Sequence, residues 1–265
     1  MKQKIAILGA GNLGLSLVTG LVESGEYSSD QFTLSRRRVE KLTSFQEKGY
    51  ITTDNNIEAA KSAELIILAV LPQKINAVLS EIKESITENQ LIVSLVSGVS
   101  IQEIKEVLGT NNPIVRAMPN TAIAIGESMT CITTLSCWEK HLNEVEKIFN
   151  LVGQTAIVNE EKMTSATALC ACGIAFFLRA IRAASQGGNE IDFHASEALK
   201  MAAQTAKGAA GLLLTNGSHP EDEIDKVTSP KGCTIAGLNE MEHNGFSSAF
   251  IKGITVSANK AKELY

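Results

Sequence analysis

The sequence predicts an α/β N-terminal domain of the doubly wound Rossmann type, followed by an all-α C-terminal domain. Short apolar runs alternate with amphipathic runs over residues 1–158, and a glycine-rich turn directly follows the first apolar run. From residue 159 onward the runs become long, apolar and helical in pattern. Alternating β and α segments joined by short links are typical of a parallel sheet covered by helices. We therefore expect two domains, residues 1–158 and residues 159–265.

Short aliphatic runs mark the predicted strands of the first domain. The run Leu65–Val70 is apolar throughout, as in a strand that is buried on both faces of a sheet. The predicted strands are Lys4–Leu8, Gln31–Leu34, Leu65–Val70, Leu91–Leu95, Pro113–Ala117, Cys131–Thr134 and Thr155–Val158. The predicted helices between them are Gly11–Glu23, Arg37–Lys48, Ile75–Ser85, Ile101–Leu108 and Trp138–Leu151.

Long helices form the predicted second domain. Residues 160–187 and 194–214 are apolar on most sides of a helix, and Ile235–Glu242 and Ser247–Leu264 are later helical runs. A helix that is apolar nearly all round is buried on more than one side. One domain cannot cover both long helices, so we expect a dimer interface here. The expected assembly is a homodimer or a higher homo-oligomer built from dimers.

Composition bears on the class of protein. A formal net charge of −5 argues against binding to nucleic acid or to a membrane surface. No apolar run reaches the roughly 18 residues of a membrane span, and no signal peptide is evident at the N-terminus. We therefore expect a cytoplasmic protein with no membrane partner. The five cysteines and four histidines lack the spacing of a disulfide framework or a metal site, which predicts no metal and cysteines that serve as small buried apolar groups.

A dinucleotide fingerprint lies at the N-terminus. The hexapeptide Gly9-Ala10-Gly11-Asn12-Leu13-Gly14 matches G-x-G-x-x-G, follows a predicted strand and opens a predicted helix. In that setting the first glycine permits the tight turn, the second lets the backbone approach a pyrophosphate, and the third lets the helix pack on the strand. The free N–H groups of the helix start then bind the phosphates. A glycine-rich turn without a ligand is the disfavoured alternative.

The end of the second predicted strand distinguishes between the two nicotinamide cofactors. NAD-selective proteins place an acid there for the ribose 2′-hydroxyl, whereas this chain has Ser35-Arg36-Arg37-Arg38. A hydroxyl and guanidinium groups suit a 2′-phosphate. NADP(H) is therefore the predicted cofactor and NAD(H) the less favoured one. Cations near a helix start are unfavourable without an anionic partner, although Arg38 is consistent with a surface residue.

Other turns follow the predicted strands at their carboxyl ends. Ligands of open α/β sheets lie in the crevice beyond those ends. The turns are Ala69–Pro72, Ser94–Gly98 and Met118–Asn120. Together they surround one predicted crevice, although each alone is also compatible with an ordinary turn.

Four stretches make the chain resemble the pyrroline-5-carboxylate reductase family over almost its full length. They are the glycine fingerprint, Ala69-Val70-Leu71-Pro72-Gln73, Arg116-Ala117-Met118-Pro119-Asn120-Thr121 and Val227-Thr228-Ser229-Pro230-Lys231-Gly232-Cys233-Thr234-Ile235-Ala236-Gly237-Leu238. The last is the most specific. The resemblance implies NADPH-dependent reduction of 1-pyrroline-5-carboxylate to L-proline, and a helical C-terminal domain that dimerises.

The same resemblance implies roles for individual residues. It places the substrate at Gly232, Cys233 and Thr234, with the Thr234 hydroxyl as the catalytic group on the ring nitrogen, and puts Met118 and Asn120 near the nicotinamide and substrate. The alternative for Ser229 and Thr234 is a helix-capping role. The predicted cofactor contacts are Gly9, Gly11, Asn12, Leu13, Gly14, Ser35, Arg36, Arg37, Asn56, Ala69, Val70, Pro72 and Ser97.

The sequence also departs from the family pattern. Leu71 stands where the family usually has Lys, Lys231 and Cys233 replace a Gly and a Thr of the signature, and Ala168–Phe176 reads ALCACGIAF instead of ALSGSGPAY. One alternative is therefore a paralogue that reduces another cyclic imine or keto acid, and a second is an NADP(H)-binding sensor without turnover. Dehydrogenases of 3-hydroxy acids share the domain plan but use a Lys on the long helix, and Gly173–Gly187 contains none.

Overall fold

A computed structural model describes residues 3–263 of the chain. The chain divides into two compact units, one comprising Met1–Cys172 and Ser257–Tyr265 and the other Gly173–Val256. The predicted boundary after residue 158 falls where the last strand ends, at Ile157, whereas the compact units divide after Cys172.

Eight strands form one sheet in the first unit, in the order β3-β2-β1-β4-β5-β6-β7-β8. Strands β1 to β6 are parallel to one another, whereas β7 runs antiparallel to β6 and parallel to β8. The strands are β1 (Ile5–Leu8), β2 (Phe32–Ser35), β3 (Ile51–Thr53), β4 (Leu65–Leu68), β5 (Leu91–Ser94), β6 (Ile114–Met118), β7 (Ser128–Thr134) and β8 (Gly153–Ile157). The strand order reverses at β1, because β2 and β3 follow on one side of it and β4, β5 and β6 on the other, and this creates the switch point at which such sheets bind ligands.

Seven α-helices belong to the first unit before its boundary at Cys172. They are α1 (Asn12–Glu23), α2 (Thr43–Gln46), α3 (Asn56–Lys61), α4 (Ile75–Ile82), α5 (Ile101–Leu108), α6 (Glu139–Asn150) and α7 (Met163–Ala166). The predicted helix Arg37–Lys48 is wrong: a 3₁₀ turn at Val39–Leu42 leads into the single turn of α2. No side chain caps the start of that 3₁₀ turn, and the arginines before it oppose the helix dipole. Strand β3 and helix α3 were not predicted.

Alternate residues of the central strands supply two apolar layers, one on each face of the sheet. Ile5 and Ile7 of β1 join the layer that contains α1 and α6, while Ala6 and Leu8 join the layer that contains α3, α4 and α5. Period-two alternation with burial on both faces is the arrangement of a doubly wound domain. The predicted fold class of the N-terminal domain is confirmed.

The second unit is helical throughout its secondary structure. Its helices are α8 (Gly173–Glu190), α9 (Ala195–Asn216), α10 (Pro220–Val227), α11 (Cys233–His243) and α12 (Phe246–Ala261), of which α12 ends in the first unit. The predicted helix over residues 160–187 is not uniform, because 3₁₀ (Glu160–Lys162), α7 and π-helical (Thr167–Cys172) segments precede α8. Helix α10 was not predicted.

The helical stretch Glu160–Glu190 corrects one expectation from composition. It is long and apolar enough to cross a membrane by length and composition, with a mean hydropathy of 1.6 over its most apolar window. Core helices of soluble proteins pass the same test, and only 22% of that window is buried within the chain. The absence of a membrane partner therefore stays a prediction.

Candidate functional site

The glycine turn after β1 is shaped by contacts that exclude side chains. Gly9 has φ +88°, a left-handed conformation that favours glycine, and its N–H donates to the Ser35 carbonyl at 3.1 Å. A Cβ at Gly9 would collide with Val70 and approach the Ala69 carbonyl oxygen to 3.0 Å. The turn therefore requires glycine and is held between the ends of β2 and β4.

The next two glycines have different surroundings. A Cβ at Gly14 would lie 2.9 Å from Ile7 Cγ2, so glycine there lets α1 pack closely on β1. A Cβ at Gly11 would have only the Gly9 carbonyl oxygen near it, at 3.8 Å. Helix α1 begins without a capping side chain and without an acidic residue in its first turn. Its start thus combines an open backbone approach with uncapped N–H groups, which is the arrangement that binds phosphate.

A hydrogen-bonded chain of polar side chains lies at the end of β2. The Ser35 hydroxyl donates to Asn56 Oδ1 at 2.6 Å, and Asn56 Nδ2 donates to Glu81 Oε2 at 2.8 Å. Ser35 is buried, and Asn56 is the first residue of α3. The predicted cofactor residues Ser35 and Asn56 are therefore in direct contact, 21 residues apart in sequence.

The arginines that follow β2 lack acidic partners. Arg36 Nη1 donates to the Ala10 carbonyl at 3.3 Å, which draws this side chain toward the glycine turn. Arg37 and Arg38 are exposed. Over residues 3–263, no carboxylate forms an ion pair with any of the three. A cluster of unneutralised guanidinium groups beside a phosphate-binding turn suits an additional phosphate group.

The turns after β4, β5 and β6 lie at the same edge of the sheet as the glycine turn, because these strands are parallel. Ala69 N–H donates to the Leu8 carbonyl at 2.8 Å, which joins this turn to β1. The Ser97 hydroxyl donates to Met118 Sδ at 3.7 Å. Leu71, where the family usually has Lys, is exposed.

The side-chain amide of Asn120 both accepts and donates a hydrogen bond in the turn after β6. Its Oδ1 accepts from Ala122 N–H at 2.9 Å, and its Nδ2 donates to the Cys170 carbonyl at 3.1 Å. Cys170 lies in the π-helical segment, where the i→i+5 pattern disturbs regular carbonyl pairing. Asn120 therefore anchors this segment to the edge of the sheet that carries the predicted substrate residues.

Two thiol groups are in contact at this π-helical segment. Cys131 Sγ of β7 and Cys170 Sγ lie 3.8 Å apart. The hydrogen bond from Cys131 lowers the pKa of Cys170 to about 7 against the opposing effect of burial. The same hydrogen bond, together with burial, raises the pKa of Cys131. The predicted role as buried packing groups holds for Cys131 but is wrong for Cys137 and Cys233, whose side chains are exposed.

The predicted substrate loop belongs to the second unit. Helix α11 begins at Cys233, two residues before the predicted start, with Gly232 at the N-cap position and no capping side chain. Thr234 is thus the second residue of the helix, and neither it nor Ser229 caps this start. A Cβ at Gly232 would lie 2.5 Å from Ser229 Oγ and 2.9 Å from the Ser229 carbonyl oxygen, so the turn is tight. Lys231, which replaces a family glycine, has φ +59°.

Two acidic residues near these sites were not predicted. Glu81 reaches Asn56 from α4, and Glu160 Oε1 accepts from Arg116 Nη1 at 3.0 Å and from Ile101 N–H at 2.7 Å. Arg116 is 5% exposed. Both contacts join residues at least 25 positions apart, and no local pattern signals them.

The structure brings together the predicted cofactor residues at the carboxyl edge of β1, β2, β4 and β5, and places Met118 and Asn120 after β6 at the same edge. Gly232, Cys233 and Thr234 lie together in the other unit, so their position beside the nicotinamide stays a prediction. Over residues 3–263, no group of three or more His, Cys, Asp or Glu side chains is placed to hold a metal ion.

Two family models match the chain. A model described as pyrroline-5-carboxylate reductase dimerisation matches residues 160–264. A model described as NADP oxidoreductase, coenzyme F420-dependent, matches residues 4–98. The first covers α8 to α12, and the second covers the glycine turn and the first five strands.

Several relatives are similar over nearly the whole chain. Pyrroline-5-carboxylate reductase 1 of Dictyostelium discoideum is 51% identical over 98% of this chain, which spans half the length of that relative. Pyrroline-5-carboxylate reductase 2 of the same organism is 50% identical over 98% of this chain and 93% of its own length. A crystal structure of Plasmodium falciparum pyrroline carboxylate reductase with NADP bound has a TM-score of 0.89 at 25% identity, covering 99% of this chain and 98% of its own.

Proposed function

The chain belongs to the pyrroline-5-carboxylate reductase family, and we propose that it reduces 1-pyrroline-5-carboxylate to L-proline with NADPH. The observation that carries the proposal is the uncapped, open start of α1 beside arginines that have no acidic partner among residues 3–263. In a family of reductases, this arrangement supplies the cofactor site. The balanced reaction is imine plus NADPH plus a proton, giving the cyclic amine and NADP⁺.

The first unit supplies the proposed cofactor site. Gly9, Gly11, Asn12, Leu13 and Gly14 form the pyrophosphate-binding turn. Ser35, Arg36, Arg37 and Asn56 hold the 2′-phosphate, which favours NADP(H) over NAD(H). The remaining contacts are Ala69, Val70, Pro72 and Ser97. NADPH supplies the hydride when bound, and the chain's contribution is to bind and orient it.

The second unit supplies the proposed substrate loop. The substrate carboxylate binds the free N–H groups at Cys233 and Thr234, where the positive end of α11 favours an anion. Gly232 lines the same turn, and its own N–H donates to the Ser229 carbonyl at 2.9 Å. The Thr234 hydroxyl hydrogen-bonds the ring nitrogen and stabilises the charge that changes there during hydride transfer. Met118 and Asn120 are proposed to line the side of the site that faces the nicotinamide.

A homodimer is the proposed minimal assembly. The helices of the second unit leave large apolar side chains exposed, among them Phe177, Leu178 and Ile251. Burial of such side chains stabilises by roughly 1.5 to 3 kcal/mol each, which a second copy of the chain can supply. A cytoplasmic location remains a proposal from composition.

A paralogue that reduces a related cyclic imine is the second candidate function. Lys231, exposed and in a left-handed conformation, places a positive charge in the substrate loop where the family has glycine. That charge suits an additional anionic group on the substrate. An NADP(H)-binding sensor without turnover is the non-enzymatic alternative.

The test is the rate of NADPH consumption by the purified protein with 1-pyrroline-5-carboxylate, its six-membered analogue and the corresponding keto acids. The proposal predicts falling NADPH absorbance and one proline formed per NADPH oxidised. Turnover with another imine only would support the paralogue. Tight NADPH binding with no turnover on any of them would contradict the reductase proposal.

A further inference from the structure

Cys131 and Cys170 are two cysteines whose thiol groups are in contact. Their sulfur atoms lie 3.8 Å apart, although 39 residues separate them in sequence. Cys131 is 5% exposed and Cys170 is half-buried. Both belong to the first unit, and no metal cluster among residues 3–263 claims them as ligands.

The two cysteines lie in different kinds of backbone structure. Cys131 lies in β7 and pairs directly with Met118 of β6, so its position is set by the sheet. Cys170 lies in the π-helical segment Thr167–Cys172, a geometry that is rare and associated with functional sites. Because β7 is paired with strands on both sides, Cys131 is held in place, and any backbone adjustment that accompanies a bond between the two sulfurs falls on the π-helical segment.

We propose that Cys131 and Cys170 form an oxidisable dithiol, a modification site at which a hydroperoxide converts the two thiols into an intramolecular disulfide. Nothing in the proposed reductase chemistry uses either sulfur. Cys170 lies in the stretch Ala168–Phe176, in which the sequence departs from the family, and stands where the family has a serine.

The chemistry balances in two steps. The Cys170 thiolate attacks one oxygen of hydrogen peroxide, the O–O bond breaks, and hydroxide leaves as Cys170 becomes a sulfenic acid. The Cys131 sulfur then attacks the Cys170 sulfur, and the sulfenic oxygen leaves as water with the Cys131 proton. Overall, two thiols and one peroxide give one disulfide and two waters.

The assignment of roles follows from the two environments. The hydrogen bond from Cys131 lowers the pKa of Cys170, and Cys170 is also the more exposed of the two thiols, so Cys170 is the attacking sulfur. Cys131 is the more buried thiol and donates that hydrogen bond, so it is the resolving sulfur.

Disulfide formation has a structural consequence beside the predicted substrate residues. A disulfide holds its sulfurs about 2.0 Å apart, so the side chains must close the 3.8 Å separation and the crosslink then ties the π-helical segment to β7. The Cys170 carbonyl, which accepts from Asn120 Nδ2 at 3.1 Å, belongs to that segment, and we expect the crosslink to disturb this hydrogen bond. The oxidised protein should therefore lose turnover and retain NADPH binding. This effect on turnover rests on the proposed function, whereas formation of the disulfide does not.

The experiment treats the full chain with hydrogen peroxide, alkylates the remaining thiols, and maps disulfides by mass spectrometry of peptides. NADPH binding and imine reduction are measured before treatment, after it, and after reduction with dithiothreitol. The variants are Cys170→Ser, Cys131→Ala and, because Cys131 is buried, also Cys131→Ser. Cys172→Ser, at the end of the same π-helical segment, is the matched control.

We expect a peptide crosslinked between Cys131 and Cys170 in the wild type and in Cys172→Ser, and in neither variant of the pair. Turnover should fall at least 10-fold on oxidation and recover with dithiothreitol, whereas Cys170→Ser should lose less than 2-fold. Failure to find the crosslink while other cysteines are oxidised would overturn the inference, as would an equal loss of turnover in Cys170→Ser. A mapped crosslink in a protein without imine reduction would contradict the proposed function and leave the dithiol intact.

Discussion

The two compact units differ in where their apolar side chains lie. In the first unit, alternate residues of the central strands fill layers on both faces of the sheet, and residues such as Ile5, Leu8, Ile66 and Ile67 are fully buried. In the second unit, helices α8, α9, α10 and α11 bury only Gly173 and Ala198 among their residues, while Phe177, Leu214 and others are exposed. The first unit buries the apolar side chains of its own core, whereas many apolar side chains of the second unit are exposed and available to another surface.

The difference separates two kinds of function. A sheet with a complete core can hold a cofactor turn rigidly, since neighbouring strands fix Gly9 and Ser35. In the proposed homodimer, a second copy of the chain completes the burial of the helices of the second unit, so the proposed substrate loop at Gly232–Thr234 depends on assembly. We therefore expect changes in the first unit to affect stability and cofactor binding, and changes in the proposed substrate loop to affect turnover.

The Arg116–Glu160 ion pair is expected to contribute most to the free energy of unfolding of the first unit. Glu160→Ala removes the partner of Arg116, whose Nη1 lies 3.0 Å from Glu160 Oε1 and whose side chain is nearly inaccessible. An unpaired buried charge costs about 3 kcal/mol in the free energy of unfolding. Urea unfolding followed by the fluorescence of Trp138, the single tryptophan, reports on this unit.

Glu161→Ala is the control for that measurement, because Glu161 is exposed and such changes stay within about 0.5 kcal/mol. Equal shifts in the two variants would show that the Arg116–Glu160 pair does not support the first unit.

Thr234→Ala tests whether the proposed substrate loop affects turnover without affecting NADPH binding. Loss of the hydroxyl should lower kcat/KM on the order of 10²-fold, because a hydrogen bond to the reacting nitrogen is removed. The Kd of NADPH, measured by fluorescence titration, should not change. Thr234→Ser keeps the hydroxyl and should retain most of the activity. An unchanged rate in Thr234→Ala would remove this residue from the mechanism.

Arg37→Gln tests whether the proposed cofactor site of the first unit binds the 2′-phosphate. Removing a charge-assisted contact to the 2′-phosphate should raise the Kd of NADPH about 10-fold, equivalent to about 1.4 kcal/mol. The Kd of NADH, which lacks that phosphate, should stay the same. Arg38→Gln is the control, since Arg38 is expected to be a surface residue. A parallel loss of affinity for both cofactors would assign Arg37 to a different role.

The smallest expected effect is at Lys231. Its φ of +59° is left-handed, and a non-glycine residue there costs about 1 kcal/mol, of which the higher unfolded-state entropy of glycine offsets part. Lys231→Gly should therefore raise the free energy of unfolding by about 0.5 kcal/mol, measured by urea titration. A loss of stability would mean that the lysine makes a contact worth more than the backbone strain.

Local patterns in the sequence predicted much of the fold. The apolar run at Leu65 and the glycine turn at Gly9 specify a strand and a turn whose requirements are met within a few residues. Strand β3, three residues at the edge of the sheet, is too short to show alternation. Helix α10 carried a usable signal in Pro220 followed by three acidic residues.

The rest of the candidate site depends on contacts between distant residues. The Cys131–Cys170 approach, the Asn56–Glu81 hydrogen bond and the Arg116–Glu160 ion pair each join elements that only the folded sheet brings together. The π-helical segment has no counterpart in the 3.6-residue apolar pattern from which a continuous helix over residues 160–187 was predicted. Local sequence therefore specified the cofactor turn better than the surroundings of the substrate residues.

The proposed function depends on transfer of a hydride from NADPH to the imine carbon. The purified protein is incubated with 1-pyrroline-5-carboxylate and NADPH that carries two deuterium atoms at C4 of the nicotinamide, and the products are analysed by mass spectrometry and NMR. We expect proline with one deuterium on the ring carbon that was double-bonded to nitrogen, in a one-to-one ratio with NADP⁺. Oxidation of NADPH without deuterated proline would contradict the proposed function.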